Sequence, residues 1–339
     1  MKIFFIGPTQ STFVKNDIAV LKKKHELSIE NSSFGRGFRG FINLTFLSIR
    51  TIFKVISADV IFCWFADFAT FLPTLLGKLT GKKVYVVAGG FDARYIPELN
   101  YGARARKWRW RCVSYTFRNA TKIFPVSKAT EESLIELTEG RNAPTEVIYN
   151  GVDVEKFLEA SKNVEHGERK RMALTISQAD TKLESDLKGI DRFIEIGREM
   201  PDVEFVIAGL RAAALDIARE QAGDAKNITI MPGTLDLYRD LMPLYKTASV
   251  YCQLSRDDTF GLAVVEAMLC GAMPIVSGAG GLSEVIISDE FISCDKEKTK
   301  LLITYSFGLC EEERAEFTEH ARKFEISKRE QKLLEEVVS

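Results

Sequence analysis

The sequence predicts an α/β protein with two doubly wound parallel sheets. Short β-branched and aromatic runs alternate with longer helical patterns along the whole chain, which is the arrangement of βα units. The strand-like runs fall into two sets of six. Between the sets stand the turn dipeptide Asn150–Gly151 and the polar stretch Glu159–Lys170. We therefore predict a first domain over residues 1–150 and a second over 151–319, with a C-terminal helix at about 320–339 that packs back on the first.

Each predicted strand is a short apolar run bounded by turn or helix signals. In the first domain the candidates are Lys2–Ile6, Leu27–Ile29, Val60–Phe62, Lys83–Val87, Lys122–Pro125 and Glu146–Tyr149. In the second they are Ala173–Ile176, Glu204–Ala208, Ile228–Met231, Ser249–Gln253, Met273–Val276 and Phe291–Cys294. Ligands of open parallel sheets bind beyond the carboxyl ends of the strands, so functional residues are expected in the loops there. Two such domains facing each other are expected to form a cleft.

Length and composition agree with two soluble domains. A chain of 339 residues is too long for one ordinary core, and 46% hydrophobic with 27% charged residues excludes disordered, collagen-like and disulfide-scaffold classes. The six cysteines include no CxxC pair, so neither a zinc site nor a disulfide framework is expected, and a cytoplasmic location fits best. The first apolar run is too short for a signal peptide, and Val60–Gly77 is too short and too interrupted to span a membrane.

The most informative segment is Ser255–Val276. An apolar strand leads into an acidic turn, then into an apolar helix from about Gly261 to Gly271, and then into another strand. The backbone amides around Phe260–Leu262 are expected to form a helix N-terminus at the carboxyl end of a strand, which is an anion site suited to a diphosphate.

Glu266 is the one carboxylate among apolar neighbours of that helix. An ionised group in such surroundings needs a partner, and one turn beyond Leu262 it shares a face with the anion site. Ribose hydroxyls of a bound nucleotide are one candidate partner. The alternative is a structural pair with a Lys or a backbone amide.

These residues resemble the carboxylate-x7-Glu motif of family 4 glycosyltransferases, retaining enzymes of the GT-B fold. The resemblance continues into Ser277–Glu284, which is similar to the family's Gly-Gly-x-x-Glu loop, and it covers most of the chain. Further matches, in the family's order, are Phe124–Lys128, Asn150–Asp153 with Phe157, and Lys188–Asp191. The resemblance implies two Rossmann-like domains, an acceptor-binding one followed by a donor-binding one.

Residue by residue, the resemblance implies a site for a nucleotide diphosphate sugar. It places Asp258 next to the transferred sugar, Glu266 at the nucleotide ribose and Lys188 at the donor diphosphate. The diphosphate is also expected to meet the backbone around Thr259, Phe260, Gly261 and Leu262. This arrangement is chemically sensible, because a cation neutralises the leaving diphosphate while a carboxylate favours an oxocarbenium-like sugar.

Two departures from the family pattern concern this site. The first motif carboxylate, usually Glu, is Asp258, which is a methylene shorter. The family commonly has an arginine after the strand before Lys188, yet none occurs between Ser177 and Lys188. Lys182 or Arg256 are candidate substitutes, although neither matches by position.

The family's first domain often carries a functional histidine, but His25, His166 and His320 all lie outside the expected loop. The comparable loop here contains Gly89 and Gly90, which let backbone approach a ligand, and Asp92, a candidate for accepting a proton from an acceptor hydroxyl. The alternative for Asp92 is a turn residue that closes the strand.

The remaining matched positions have structural interpretations too. Ser127 is favoured as a helix N-cap. Gly280 and Gly281 either approach the donor sugar, as similar loops in the family do, or form only a tight turn. Glu284 either belongs to that loop or favours a helix N-terminus. The sequence has no Asp-x-Asp triplet and no cluster with metal-ligand spacing, so no metal and no cofactor are expected.

The net charge of −1 conceals two oppositely charged halves. Residues 1–150 hold 22 Lys and Arg against 12 Asp and Glu, and the remainder holds 24 against 35. In the densest basic patch, helical periodicity places Arg104, Lys107 and Arg111 on one stripe of a helix and Trp110 roughly opposite; all four are assigned to a candidate membrane patch. It suits an anionic membrane surface, at about 1 kcal/mol per basic residue. The alternative is a solvated basic helix face; nucleic acid is disfavoured because no binding motif accompanies the patch.

The sequence and the family resemblance together predict a metal-independent, retaining glycosyltransferase that moves a hexose-type sugar from a UDP- or GDP-linked donor to a saccharide or lipid-linked glycan. Peripheral contact at the inner face of the membrane is a further expectation from the basic patch. One alternative is a nucleotide-sugar-binding protein with weakened catalysis, motivated by Asp258 and the missing arginine. Another is a sugar-nucleotide epimerase on the same fold.

Overall fold

The structure is a computed structural model that describes residues 1–33, 37–164 and 168–338. The chain divides into two compact units: unit 1 is Met1–Asn150 with Lys328–Ser339, and unit 2 is Gly151–Ser327. Each unit contains one parallel sheet with helices on its faces. The predicted α/β class with two doubly wound sheets is confirmed.

The sheet of unit 1 has the order β2-β1-β3-β4-β5. Its strands are β1 (Lys2–Gly7), β2 (Glu26–Asn31), β3 (Val60–Trp64), β4 (Lys83–Ala88) and β5 (Lys122–Pro125). Its helices are α1 (Thr12–Lys22), α2 (Gly37–Ser57), α3 (Phe68–Thr80), α4 (Lys107–Asn119) and α5 (Lys128–Thr138), and the last helix of the chain, α15 (Ile326–Val338), also packs on this sheet.

Two apolar layers cover the faces of this sheet. One joins Leu47 and Val55 of α2, Ala69 of α3, and Val113 and Phe117 of α4 to the strands. The other joins α1 and α15 to the opposite face. The central strands β3 and β4 are buried on both faces, as their continuous apolar runs predict.

The sheet of unit 2 has the order β10-β9-β6-β7-β8. Its strands are β6 (Lys170–Ile176), β7 (Glu204–Leu210), β8 (Ile228–Pro232), β9 (Ala248–Gln253) and β10 (Met273–Val276). Its helices are α6 (Val154–Lys162), α7 (Lys182–Leu187), α8 (Ile190–Glu199), α9 (Ala212–Ala222), α10 (Met242–Thr247), α11 (Leu262–Leu269), α12 (Leu282–Val285), α13 (Lys296–Ser306) and α14 (Glu311–Ala321).

The prediction of a sixth strand in each sheet is wrong for the described residues. The amide of Ile148 donates to the Pro125 carbonyl at 3.0 Å, so that segment follows β5 without forming a strand ladder. Ile292 makes a single bridge to Val276, because the 3₁₀ turn Asp289–Phe291 precedes it and α13 begins at Lys296. Each segment is thus represented by one isolated parallel bridge, Thr145 to Ile123 and Ile292 to Val276, in place of a continuous ladder.

The chain passes from one unit to the other twice, at residues 150–151 and at residues 327–328. The residues of unit 2 that adjoin these two crossings are hydrogen bonded to each other. Within unit 2 the Val152 amide donates to the Phe324 carbonyl, and the Ile326 amide donates to the Val152 carbonyl, each at 2.9 Å. Gly151 lies against the backbone of Ile326, where a Cβ would be 2.8 Å from its Cα. A side chain at position 151 would therefore push the crossings apart.

Helix α15 is held in unit 1 by a buried ion pair. The Arg329 guanidinium donates to both Asp17 carboxylate oxygens at 2.7 Å, and the Trp64 indole donates to the same carboxylate at 2.7 Å. Arg329 also donates to the Ile148 carbonyl at 2.7 Å. The side chains of Arg329 and Asp17 are only 3% and 1% exposed. Each charge therefore needs the other to offset the cost of its removal from water.

None of the helices in the described ranges has the length and apolar composition that crossing a bilayer requires.

Replacing Asp17 by Ala should lower the free energy of unfolding of unit 1 by about 3–5 kcal/mol, because Arg329 is left buried without a counter-charge. All three tryptophans, at positions 64, 108 and 110, lie in unit 1, so their fluorescence during urea unfolding reports on this unit. The control is Glu330→Ala. Glu330 follows Arg329 on α15 and forms a more exposed pair with Lys23, so its loss should cost at most about 1 kcal/mol. Equal effects of the two substitutions would contradict the prediction.

Candidate active site

The candidate site lies in unit 2, where three loops leave neighbouring strands. β10, β9 and β6 are adjacent and parallel, so their carboxyl ends share one edge of the sheet. Residues 254–261 follow β9, residues 277–281 follow β10, and residues 177–189 follow β6 with α7 inserted. Side chains that are far apart in sequence therefore meet at this edge.

Lys188 and Asp258 form an ion pair there. The Lys188 ammonium donates to Asp258 Oδ2 at 2.7 Å, and the two side chains are 36% and 12% exposed. Lys188 is the C-cap residue that follows α7. Gly189 comes next with a φ of +68° and packs on the Leu254 carbonyl so closely that a Cβ would collide with it. Glycine at position 189 therefore lets Lys188 approach the loop after β9.

The two loops that follow β9 and β10 are joined by their backbones. The Gly281 amide donates to the Asp258 carbonyl at 2.8 Å. Gly280 has a φ of +61° and lies against the same carbonyl, where a Cβ would clash. The turn interpretation of Gly280–Gly281 thus describes part of their role, and their contact also fixes the position of Asp258.

Asp258 receives further contacts from its own loop. The Phe260 amide donates to Oδ1 at 3.3 Å, and the Gln253 side-chain amide lies 3.4 Å from Oδ2. Gln253 is the last residue of β9 and is buried. Its place in the site was not predicted, although a polar residue that ends a buried strand is a recognisable signal.

Helix α11 begins at this edge, as predicted. Leu262 is its first residue and Gly261, with a φ of +98°, precedes it, while Thr259 is half-buried in the turn before. Phe260 is buried and packs edge-to-face on Phe324 with ring centroids 5.4 Å apart. The amides of the first turn of α11 therefore stand at the carboxyl end of β9.

Glu266 lies one turn further along α11 and has a different partner from those predicted. The Tyr245 hydroxyl donates to Glu266 Oε2 at 2.8 Å. Burial raises the pKa of Glu266 to about 7, although the hydrogen bond from Tyr245 lowers it. The described partner is thus a phenol, rather than the Lys or backbone amide of the structural alternative, and no local pattern around Tyr245 indicates this contact.

The two candidate substitutes for the missing arginine are bound elsewhere. Arg256 forms a bidentate pair with Asp191 at 2.7 and 2.6 Å and also donates to the Asp186 carbonyl. Lys182 pairs with the Asp186 carboxylate at 2.5 Å. Within the described contacts, both cations hold the loop around α7.

Asp92 of unit 1 is enclosed by backbone. Its carboxylate accepts hydrogen bonds from the amides of Ala66 at 2.9 Å, Gly90 at 3.0 Å and Gly89 at 3.3 Å, and the residue is 1% exposed. Burial raises its pKa to about 6 against the lowering effect of these bonds. These contacts favour the alternative role, a carboxylate that closes the loop after β4.

The remaining predicted residues lie in several different elements of the structure. Ser127 is an N-cap whose hydroxyl accepts from the Thr130 amide, and Glu284 lies in α12. His25 is in unit 1 and His320 is in α14, while His166 lies outside the described residues. Across residues 1–33, 37–164 and 168–338, no three His, Cys, Asp or Glu side chains are grouped so as to hold a metal ion.

The basic patch differs from the predicted helix face. Arg104 lies in the 3₁₀ turn Ala103–Ala105, and α4 begins only at Lys107, so Arg104 is not on that helix. Trp110 is half-buried against the core, which makes its assignment to the surface patch wrong. The exposed indole is that of Trp108, with the Arg111 guanidinium 4.5 Å from its ring centroid.

Comparison with known proteins gives the class of this fold and site. A family model for glycosyl transferases group 1 matches residues 157–324, and a model for glycosyltransferase family 4 matches residues 18–156. The two models together span nearly the whole chain. The chain therefore belongs to the group 1 and family 4 glycosyltransferases, which have the GT-B fold.

Individual relatives are distant. A D-inositol 3-phosphate glycosyltransferase of Mycobacterium sp. (strain KMS) is 23% identical over 175 residues, which are 48% of this chain but only 38% of that protein. The solved structure of Anabaena Alr3699/HepE in complex with UDP and glucose has a TM-score of 0.70 at 15% identity and full coverage of both chains. Sucrose-phosphate synthase of Thermosynechococcus elongatus has a TM-score of 0.74 at 15% identity, covering 99% of this chain and 98% of that one.

The raised pKa of Glu266 predicts a measurable pH dependence of stability. Because the folded pKa of about 7 exceeds the ordinary value, the folded chain binds more protons than the unfolded chain between those values. Stability from this group is therefore lost as the pH rises towards and through about 7. The melting temperature of Glu266→Gln, minus that of the wild type, should rise between about pH 5 and pH 8. Glu290→Gln, at an exposed carboxylate, is the control, and a difference independent of pH would contradict the prediction.

Proposed function

We propose that this chain transfers a hexose-type sugar from a UDP- or GDP-linked donor to a saccharide or lipid-linked glycan acceptor, with retention of configuration. The observation that carries the proposal is the Lys188–Asp258 pair beside the first turn of α11. Family membership supports the reaction class, and the Anabaena complex with UDP and glucose supports a nucleotide sugar donor.

The proposed mechanism begins with exchange of partners at Lys188. The donor diphosphate carries more negative charge than Asp258, so the ammonium binds the diphosphate and the Asp258 carboxylate turns towards the sugar. Amides around Thr259, Phe260, Gly261 and Leu262 add donors from the helix N-terminus. As the bond to the diphosphate breaks, the cation stabilises the leaving group and the carboxylate stabilises the developing positive charge on the sugar.

Glu266 is proposed to bind the nucleotide ribose. Its carboxyl lies half-buried on α11 one turn from the proposed diphosphate site, and Tyr245 already fixes one oxygen. Gly280 and Gly281 are proposed to bring backbone close to the donor sugar. In unit 1, the loop with Gly89 and Gly90 is proposed to face the acceptor, and Asp92 shapes that loop by its three backbone contacts.

The reaction is proposed to need no divalent metal and no cofactor, because Lys188 and the helix N-terminus supply positive charge where a metal ion would otherwise stand. A cytoplasmic location, with peripheral contact at the inner face of an anionic membrane, is proposed through Arg104, Lys107 and Arg111. All three are exposed in unit 1, and a positively charged surface attracts anionic lipid.

Lys188→Ala and Glu266→Ala should each weaken binding of the donor nucleotide by about 10- to 100-fold, since each removes hydrogen bonds that involve a charged group. Calorimetric titration of UDP and GDP measures the effect, and transfer should fall in parallel. Lys182→Ala is the control, because that cation is committed to Asp186. Wild-type binding and transfer in both site variants would refute the assignment.

Transfer should continue undiminished in excess EDTA, and the new glycoside should keep the anomeric configuration of the donor sugar. Proton NMR of the first-formed product reads the configuration, and an enzyme assay with and without chelator reads metal dependence. Activity that is lost to EDTA and restored by Mg²⁺ or Mn²⁺, or an inverted product, would contradict the proposed mechanism.

The second candidate is a nucleotide-sugar-binding protein with weakened catalysis. It is favoured by the shorter Asp258 and by the engagement of Arg256 and Lys182 with Asp191 and Asp186, which leaves neither in place of the family's arginine. Slow hydrolysis of the donor without acceptor, followed by mass spectrometry, separates the two, because a pure binding protein leaves the donor intact. An epimerase would instead return a sugar of altered stereochemistry and no glycoside.

A further inference from the structure

Helix α2 of unit 1 carries an apolar stripe on its outer surface. Phe46, Ile49, Phe53 and Ile56 recur at spacings of three and four residues, which places them along one face of the helix. They are 58%, 49%, 69% and 66% exposed. The opposite face of α2 already packs against the core, because Leu47 and Val55 are buried there. The stripe is therefore additional to the side chains that fold the unit.

An exposed apolar stripe of this size indicates a binding surface. Single exposed apolar residues are normal, but a contiguous row along three turns of one helix marks contact with a partner or a membrane. No other described part of the chain covers these four side chains, which keep about half or more of their surface exposed.

The charged residues of the stripe's own helix and of its two neighbours are all basic. Helices α2, α3 and α4 follow one another on the same face of the sheet and share its apolar layer. Their sequences hold three, one and four Lys and Arg, and no Asp or Glu. Some of these cations have partners: Glu30 of β2 binds Arg50 and Lys54, and Asp67 binds Arg109.

Other groups on this layer point outward. Lys107, Arg111 and Arg118 are exposed on α4, and beside them the Trp108 indole is 71% exposed. Leu79 is exposed near the end of α3. The layer thus combines basic side chains with apolar and aromatic ones, the composition of a surface that lies on lipid.

We propose that α2 inserts Phe46, Ile49, Phe53 and Ile56 into the interfacial region of an anionic lipid bilayer, while the basic residues of α4 bind the lipid headgroups. The inference deepens the peripheral contact of the proposed function and rests on it, but it assigns the contact to a different helix and to apolar side chains. A second copy of this chain is the disfavoured occupant, because two such layers would bring like charges together.

The test is co-sedimentation of the full chain with vesicles of phosphatidylcholine, with and without about one third phosphatidylglycerol, at low and high salt. Phe53→Ser with Ile56→Ser should weaken binding to the anionic vesicles at least tenfold. Lys107→Gln with Arg111→Gln should also weaken it, and should reduce its salt dependence. The matched control is Leu301→Ser with Tyr305→Ser, two similarly exposed apolar residues on α13 of unit 2.

The outcomes separate the two proposals. If the α2 variant binds like the wild type while the α4 variant does not, insertion by α2 is wrong and the basic contact stands. If the wild type ignores anionic vesicles, both membrane proposals fail. If sedimentation velocity shows a dimer that the α2 variant abolishes, and no lipid binds, a second copy covers the stripe and the inference is overturned. UDP and GDP titrations on the same samples test the donor site independently, because the substituted residues of α2 belong to unit 1 and the proposed donor-site residues belong to unit 2.

Discussion

The parallel pairing of strands is the constraint on which the candidate site depends. Each strand of unit 2 is paired in parallel with its neighbours, so every loop that follows a strand leaves the sheet at the same edge. Because β6, β9 and β10 are adjacent, Lys188, Asp258 and Gly280 meet although long stretches of sequence separate them. The helices between the strands make this possible, since a parallel connection needs a crossover of a dozen or more residues.

Within that edge, backbone contacts decide how closely charged groups approach. Gly189 and Gly280 occupy positions where a Cβ would strike the carbonyls of Leu254 and Asp258. Because these two residues have no side chain, the loops that follow β6 and β10 can touch the loop that follows β9. The contact at Gly189 brings Lys188 within reach of Asp258. The two carboxyl groups of the motif then acquire opposite electrostatic environments. Asp258 lies beside an ammonium, whereas Glu266 lies among apolar groups and accepts a hydrogen bond from the Tyr245 phenol. Burial raises the pKa of Glu266, and this hydrogen bond lowers it.

Much of the fold follows from local patterns in the sequence. Ten of the twelve predicted strands are present. Central parallel strands such as β3 and β9 are buried, continuous apolar runs, which can be recognised without knowledge of their neighbours. The failures at Glu146–Tyr149 and Phe291–Cys294 are edge segments, where pairing depends on how much strand length the adjacent turns leave. Arg104 was placed on a helix because helical periodicity continues through it, yet the chain forms a separate 3₁₀ turn first.

The site was predictable in position but not in pairing. Motif spacing located Lys188, Asp258 and Glu266 on loops and a helix at strand ends. It did not reveal that Tyr245 binds Glu266 or that Asp191 holds Arg256, since such partners come from elements brought together only by folding. The apolar stripe of α2 was missed for a related reason. Its residues resemble core residues in sequence, and only the burial of the opposite face shows that Phe53 and Ile56 remain outside.

The return of α15 to unit 1 has a consequence for the modularity of the molecule. Leu333, Leu334 and Val337 complete an apolar layer on a sheet that was built more than 200 positions earlier in the chain, and Arg329 neutralises Asp17 there. Unit 1 is thus discontinuous in sequence, while unit 2 is an insertion between its two parts. A chimera that exchanges unit 2 between relatives therefore needs two junctions, one near Asn150 and one near Lys328. A single crossover would join α15 to a sheet with which it did not coevolve.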